Sequence, residues 1–433
     1  MSTSRFWILG LALFVLAAPA AQAEPMGYVF SYFQGGWPVG GHSGVFMQSS
    51  IDGLQFSDMN NGDAVYVPPS SWGDGSNTNT NDEDQARDPS VVYGPDGLFH
   101  MVWTSGITTR TIGYASSPDL VNWSNEQLIE IWDQSTVVNH TWAPEVFYDE
   151  ANANYQIIFA SDLDNGDHKL YSITTTDFAN YSDPSLYYYN GATVIDAMIA
   201  HDAENGQYLM AIKDEQNGQK NIRLATSSTA QGPWTTDNPI IVGPGSAIEG
   251  NATEGPSLLR VDDRWLMYYD AYGAGYFGVA ATTDADPTNA SSWVNLTSEA
   301  NLPSGHHGTV FAAPISAIFD SLAFSAADLI DDDQIDVQDW LAFQEYHLTD
   351  LSGLTAAEQA ARGDLNGDGL NDQSDFRLFK SYYNDYYQAM DLATAGQDSF
   401  AAMLDSLAVP EPTSTLLALF GLAAAYVCGR RLL

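Results

Sequence analysis

Three acids in this chain head runs that are otherwise apolar or small. They are Asp88 in Arg87-Asp88-Pro89-Ser90-Val91-Val92-Tyr93, Asp196 in Ile195-Asp196-Ala197-Met198-Ile199, and Glu254 in Glu254-Gly255-Pro256-Ser257-Leu258-Leu259. A carboxylate can take a proton from water, and a carboxylic acid that stays protonated near neutral pH can give one to a leaving oxygen. A third carboxylate close to that acid raises its pKa by like-charge repulsion. Two aspartates and one glutamate are therefore a sufficient set for acid–base hydrolysis. Two further heads, Trp142-Ala143-Pro144-Glu145 and Gly305-His306-His307-Gly308, add an aromatic, another acid and imidazoles.

These runs are parts of a repeat. The run at Arg87 is followed by Gly94-Pro95-Asp96-Gly97 and then by Leu98 to Trp103, which reads as strand, tight turn, strand. A third run, Ile112-Gly113-Tyr114-Ala115, follows, trailed by Trp123. Five such units align on their trailing aromatics, Phe56, Trp123, Tyr181, Trp234 and Trp293, which lie 53 to 67 residues apart. Several short strands repeated at such a period predict a β-propeller, and no long amphipathic pattern interrupts residues 28–314. The unit near Tyr28 has no first strand of its own. The strand at His307 is expected to return and complete it, so the expected fold is all-β, a five-bladed propeller closed by exchange of N- and C-terminal strands. In a propeller the first strand of each blade lines the central channel, which would bring Asp88, Glu145, Asp196, Glu254 and His307 to one axis.

In kind and order, the five heads resemble glycoside hydrolase family 43, over roughly residues 28–314. The resemblance implies that Asp88 is the general base, Asp196 the group that raises the acid's pKa and orients it, and Glu254 the general acid. It also implies inversion at the anomeric carbon, with base and acid ~6.5–9.5 Å apart. His307 would contact an ion or water in the channel, with His306 its rival by one position. Trp142 and Trp103 are candidates to stack on a sugar, and Glu145 is a further candidate near the substrate. Two departures stand out: Ala197 follows Asp196 where the family often has Pro, and a long segment rich in Asn, Asp, Ser, Gly and Thr, residues 60–84, precedes Asp88. The implied substrates are arabinose- or xylose-containing glycosides. A carbohydrate-binding or adhesive propeller without catalysis is the alternative, as is a family 32-like fructosidase. The latter lacks its expected upstream Asn-Asp-Pro strand here.

The chain has 433 residues, and its 14 Lys and Arg against 55 Asp and Glu give a net charge of −41, which disfavours nucleic acid as a partner. Residues 1–23 read as a secretory signal, with Arg5, an apolar run from Phe6 to Ala17 and the cleavage pattern Ala21-Gln22-Ala23. Cys428 is the sole cysteine, so no intramolecular disulfide can form. The propeller domain is expected over 24–318.

From about residue 325 to 390 the character changes. Asp364, Asn366, Asp368, Asp372 and Asp375 fall at positions 1, 3, 5, 9 and 12 of a loop with Gly369 at position 6, the EF-hand-type calcium pattern. A fainter copy holds Asp328, Asp332, Asp336 and Asp339, with Ile330 where a ligand belongs and Asp333 where Gly belongs. Two such loops, each followed by a helix, resemble a type I dockerin, a small α-helical module. The resemblance implies bound calcium, more securely in the second loop, and a cohesin-like protein partner. No organic cofactor is expected. After a linker at 391–408, residues 409–433 run Val409-Pro410-Glu411-Pro412, an apolar stretch and Arg430-Arg431. They resemble a PEP-CTERM sorting signal, which implies an exosortase-type processing enzyme and a cell-surface, outer-envelope or extracellular destination, with transient membrane anchoring by the tail.

Overall fold

The structure, a computed structural model, describes residues 26–34, 44–50, 52–73, 83–261, 263–314, 317–318, 327–330, 335, 337–366 and 369–389. The expected signal, the linker, the sorting tail with Cys428, residues 74–82 of the loop before Asp88, and the expected ligands Asp332, Asp336 and Asp368 lie outside them.

Twenty strands form five four-stranded antiparallel sheets. β1 (Met26–Gln34), β2 (Gly44–Ser50) and β3 (Ser57–Asp58) share a sheet with β20 (His306–Pro314). The other four sheets are consecutive in the chain. They are β4 (Arg87–Tyr93), β5 (Phe99–Thr104), β6 (Thr111–Ser117) and β7 (Ser124–Glu130); β8 (Thr141–Asp149), β9 (Asn154–Ser161), β10 (Lys169–Thr175) and β11 (Ser185–Tyr188); β12 (Val194–Asp202), β13 (Gln207–Asp214), β14 (Asn221–Ser227) and β15 (Ile240–Val242); and β16 (Glu254–Val261), β17 (Arg264–Ala271), β18 (Tyr276–Thr282) and β19 (Val294–Asn295). The inner strands β4, β8, β12, β16 and β20 contact one another in sequence around a ring, with β20 returning to β4. β20 pairs with β1, Met26 opposite Pro314 and Phe33 opposite His306. That blade therefore draws its inner strand from the far end of the domain. Each blade also has an outer strand beyond the trailing aromatic, a fourth element in the repeat.

The second strands are buried on both faces, which is why Phe-His-Met-Val-Trp-Thr and its counterparts are mostly apolar and do not alternate. The core consists of apolar layers between adjacent blades. Its largest pieces stand across from glycines: a Cβ on Gly113 would land in the ring of Trp103, and one on Gly278 in the ring of Tyr269. Part of the segment before Asp88 packs back into the molecule. Tyr66 is buried against Trp103 with centroids 4.8 Å apart, and Trp72 stacks on the same indole at 6.4 Å.

The C-terminal part has its own small core. Helices α1 (Val337–Glu345) and α3 (Gln373–Ala389), with the short α2 (Ala356–Ala360) between them, bury Trp340, Phe343, Phe376, Phe379 and Tyr383. A two-residue ladder joins β21 (Thr349–Asp350) to β22 (Leu370–Asn371).

Candidate active site

Every inner strand is interrupted at its head by a β-bulge. Between Arg87 and Ser90 the residues Asp88 and Pro89 oppose a single residue of β5. Ala143 and Pro144 do the same on β8, Gly255 and Pro256 on β16, and His307 and Gly308 on β20. On β12 the single extra residue is Asp196. Proline suits such a position because it has no N–H to give the ladder. Four of the five bulge residues, Asp88, Ala143, Asp196 and Gly255, have φ between +46° and +54°. Asp tolerates this left-handed region better than most residues, and Gly occupies it freely. A bulge re-aims its side chain, and here it turns the equivalent residues Asp88, Asp196 and His307 toward one another. Glu254 sits one position earlier, equivalent to Arg87 and Trp142.

The His307 imidazole is the hub. Its Nδ1 lies 3.3 Å from Asp88 Oδ1 and 4.0 Å from Asp196 Oδ2, and its backbone N–H donates to Asp270 Oδ2 at 3.0 Å. Burial alone would lower the His307 pKa, but Asp196, Asp88, Glu254 and Asp270 outweigh it and raise the value. Asp88 also accepts from the Thr104 hydroxyl at 2.7 Å, and that hydroxyl in turn accepts the Ala143 N–H at 2.8 Å. Asp196 is buried and accepts the Gly255 N–H at 3.2 Å. Burial raises its pKa, as do the Glu254 and Asp88 charges, against the pull of His307 and Lys213. The more open Glu254 receives a hydrogen bond from Lys213 Nζ at 2.8 Å. Lys213 is buried, with Glu215 at 3.7 Å and the Tyr272 ring 5.0 Å away. Burial would lower its pKa, but Asp196 and Glu254 raise it, so it stays charged.

Three of these groups escaped the sequence reading. Thr104 ends its second strand, and Lys213 and Asp270 lie one residue before the ends of theirs, opposite Arg87, Ile195 and Glu254 respectively. The available signal was a polar residue closing an apolar strand, as in Leu209-Met210-Ala211-Ile212-Lys213 and Met267-Tyr268-Tyr269-Asp270. Asp270 is pushed up to about 7, chiefly by burial and further by Glu254, against the His307 N–H.

The other expected site residues divide. Trp142 is half-buried at the head of β8; its Nε1 donates to the Ile107 carbonyl at 2.8 Å and its ring lies against His140 and His168. Burial lowers the pKa of both histidines, with Asp162 opposing it at His140 and adjacent His140 adding to it at His168. Trp103 is 0% exposed and wedged among Tyr66, Trp72 and Gly113, so it packs the blade and cannot stack on a sugar. Glu145 is likewise corrected. It directly follows its bulge, buried, with Ser90 and His307 as its electrostatic neighbours, and burial pushes it up to about 8. At 7% exposed it offers no face to a sugar. Of the two rival histidines, His306 is exposed and tilts over Phe33, while His307 meets the acids.

In the C-terminal part, Asp364 and Asp375 are buried. Gly369 N–H donates to Asp364 at 2.9 Å, and the N–H groups of Leu365, Asn366 and Asp372 donate to Asp375. Asp339, also buried, accepts the Ile330 N–H at 3.2 Å. Asp328 lies among the described residues at the start of the first loop, and Asn366 and Asp372 lie in the second.

A family model for a probable glycosyl hydrolase domain, related to family 43, matches residues 24–317, and the PEP-CTERM protein-sorting motif matches residues 408–431. A curated relative, an alpha-L-arabinofuranosidase of Bifidobacterium longum subsp. longum, is 23% identical over 262 residues, covering 50% of this chain and 23% of that protein. The chain thus spans about a quarter of that relative's length. Among solved structures, an alpha-L-arabinofuranosidase from Lactobacillus brevis is 23% identical with a TM-score of 0.40, over 48% of this chain and 72% of the other. An endo-arabinase from Bacteroides thetaiotaomicron is 15% identical with a TM-score of 0.42, over 53% and 94%.

Proposed function

This chain belongs to the family 43-related glycosyl hydrolases, and on that premise we propose that it is an exported glycosidase. Its proposed substrates contain arabinose or xylose, and its mechanism is a single displacement with inversion. The observation that carries the reading is the meeting of Asp88 and Asp196 at His307 Nδ1, with Glu254 held by Lys213 beside them. The ring brings inner-strand residues of different blades together, but it does not require them to be carboxylates and an imidazole, which are costly to bury unless they do chemistry.

Each group has a role that its setting supports. Asp88, positioned by the Thr104 hydroxyl and the nearby imidazole, takes the proton from water as it attacks the anomeric carbon. Glu254 gives its proton to the departing oxygen. Lys213 then stabilises the carboxylate that Glu254 has become, an ion pair that strengthens as the transfer proceeds. Asp196, buried beside them, is the carboxylate that orients the acid, accepting the N–H of Gly255, the residue next to Glu254. Trp142 supplies an aromatic wall at the rim. The acids around His307 also offer the oxygen-rich setting a hard cation in the channel would need.

The flanking segments extend the proposal. The second C-terminal loop, with buried Asp364 and Asp375 and its glycine-donated hydrogen bond, has the donor chemistry for calcium, and a dockerin-like docking role to a cohesin-like protein rests on it. The sorting motif supports export, exosortase processing and a surface or extracellular destination.

The test is release of nitrophenol or reducing sugar from nitrophenyl furanosides and pyranosides, arabinan and xylan. Wild type should turn over at least one of them, and Glu254→Gln should lose roughly 100- to 10,000-fold of that rate. Saturable glycan binding by a folded protein with no turnover on any substrate would instead make this a binding propeller.

A further inference from the structure

One blade gathers a second set of ligating side chains away from the acids. His140 precedes β8, Asp162 follows β9 and His168 precedes β10, so three successive strand ends meet at one end of the sheet. This is the end where the inner strands begin and where Asp88 and Asp196 lie. His140 Nδ1 stands 3.0 Å from His168 Nε2 and 3.4 Å from Asp162 Oδ2. The ligand atoms of all three lie within 4.8 Å of one another. Tetrahedral coordination with bonds of ~2.0–2.1 Å places ligand atoms about 3.3 Å apart, so small ring rotations would seat an ion here.

The carboxylate is already held for such a task. Asp162 Oδ1 accepts the backbone N–H groups of Asn139 and His140 at 3.0 and 2.9 Å, and Asn139 Nδ2 donates to Oδ2 at 2.9 Å. Outer hydrogen bonds of this kind fix a ligand's orientation before the ion arrives. The His140 side chain is 25% exposed, so solvent reaches the cluster. Neutral imidazole is the form a metal takes.

We propose that His140, Asp162 and His168 form a binding site for one zinc-type divalent ion, with water completing the coordination. Two imidazoles and one carboxylate favour a borderline ion over calcium or magnesium. The site also acts on the rim. The Trp142 indole lies 3.9 Å from the His140 ring and 5.0 Å from that of His168, nearly parallel to both. An ion that fixes the two imidazoles fixes this indole, in a domain that no intramolecular disulfide can brace. The ion binding itself does not depend on whether the channel hydrolyses glycosides.

The experiment uses the full-length protein, stripped by chelator and kept in saturating calcium so that oxygen-only sites are filled. Cobalt(II) is titrated in and then displaced with zinc. One equivalent of cobalt should give a visible ligand-field band of low-symmetry coordination, and one equivalent of zinc should bleach it. His168→Gln and Asp162→Asn should weaken binding at least ~100-fold, while His201→Gln, on an exposed histidine elsewhere, should leave it unchanged. X-ray absorption of the zinc-loaded wild type needs no variant and should read two imidazole nitrogens plus oxygen ligands. Absence of a stoichiometric site, an all-oxygen shell, or undiminished binding in both cluster variants would overturn the proposal.

Discussion

At the scale of residues, the acids announced themselves but their partners did not. Asp88, Asp196 and Glu254 were readable because an acid at the head of an apolar strand needs a reason. Lys213, Thr104 and Asp270 were hidden because each lies at or one residue before the end of a strand, where polar residues are ordinary. Trp103 and Trp142 look alike in sequence, yet only burial separates them. Trp103→Ala should cost about 3–5 kcal/mol of stability, read from urea unfolding. Trp142→Ala should leave stability nearly intact and raise KM roughly tenfold, a stacking-sized loss. Lys213→Gln removes a hydrogen bond to a charged group, so kcat should fall roughly 10- to 100-fold with little change in KM. The buried acids also set a pH dependence. Glu145 at about 8 and Asp270 at about 7 both stand above ordinary carboxylates, so the folded state binds more protons than the unfolded one between about pH 4 and those values. Stability therefore falls as pH rises through that window, and the raised His307 pKa acts in the same direction. Urea midpoints measured across it should decline in wild type and decline less in Glu145→Gln.

At the scale of elements, the first three strands of each blade and their order followed from turn residues and the trailing aromatics, but the outer fourth strands and the bulges did not. The Asp-Pro, Ala-Pro and Gly-Pro pairs were visible as motifs; that each is a two-against-one irregularity with left-handed backbone needed the register. The bulge also explains why Ala197 can follow Asp196 where the other strands carry Pro or Gly: on β12 the aspartate alone is the extra residue, and Ala197 pairs with Ile212 in the ladder. Gly255 is constrained twice, by φ +54° and by His307, whose Cδ2 would lie 2.7 Å from an added Cβ. Gly255→Ala should destabilise by about 1–3 kcal/mol and shift His307, with activity falling further than stability alone accounts for. Differential scanning calorimetry beside initial rates separates the two. Gly113→Ala, which drives a methyl into Trp103, should lower stability while any protein that remains folded keeps its KM.

At the scale of the whole molecule, the repeat made the ring legible, since five similar units that each bury both faces of their second strands need neighbours on either side. The site at its centre follows from that ring: β4, β12, β16 and β20 present Asp88, Asp196, Glu254 and His307 to a common point, although more than two hundred residues separate the first from the last. What the sequence could not carry was which side chains the bulges turn inward, because that depends on register between strands. The account's central claim is that this point hydrolyses glycosides by direct attack of water, with Asp88 as base. The most direct measurement is proton NMR of the first-formed sugar during hydrolysis of the best substrate, with wild type and Asp88→Asn, an exchange that the left-handed backbone tolerates. The account predicts that the anomer opposite to the substrate's appears first and that Asp88→Asn abolishes its formation. A first product with retained configuration, or an unimpaired Asp88→Asn enzyme, would contradict it.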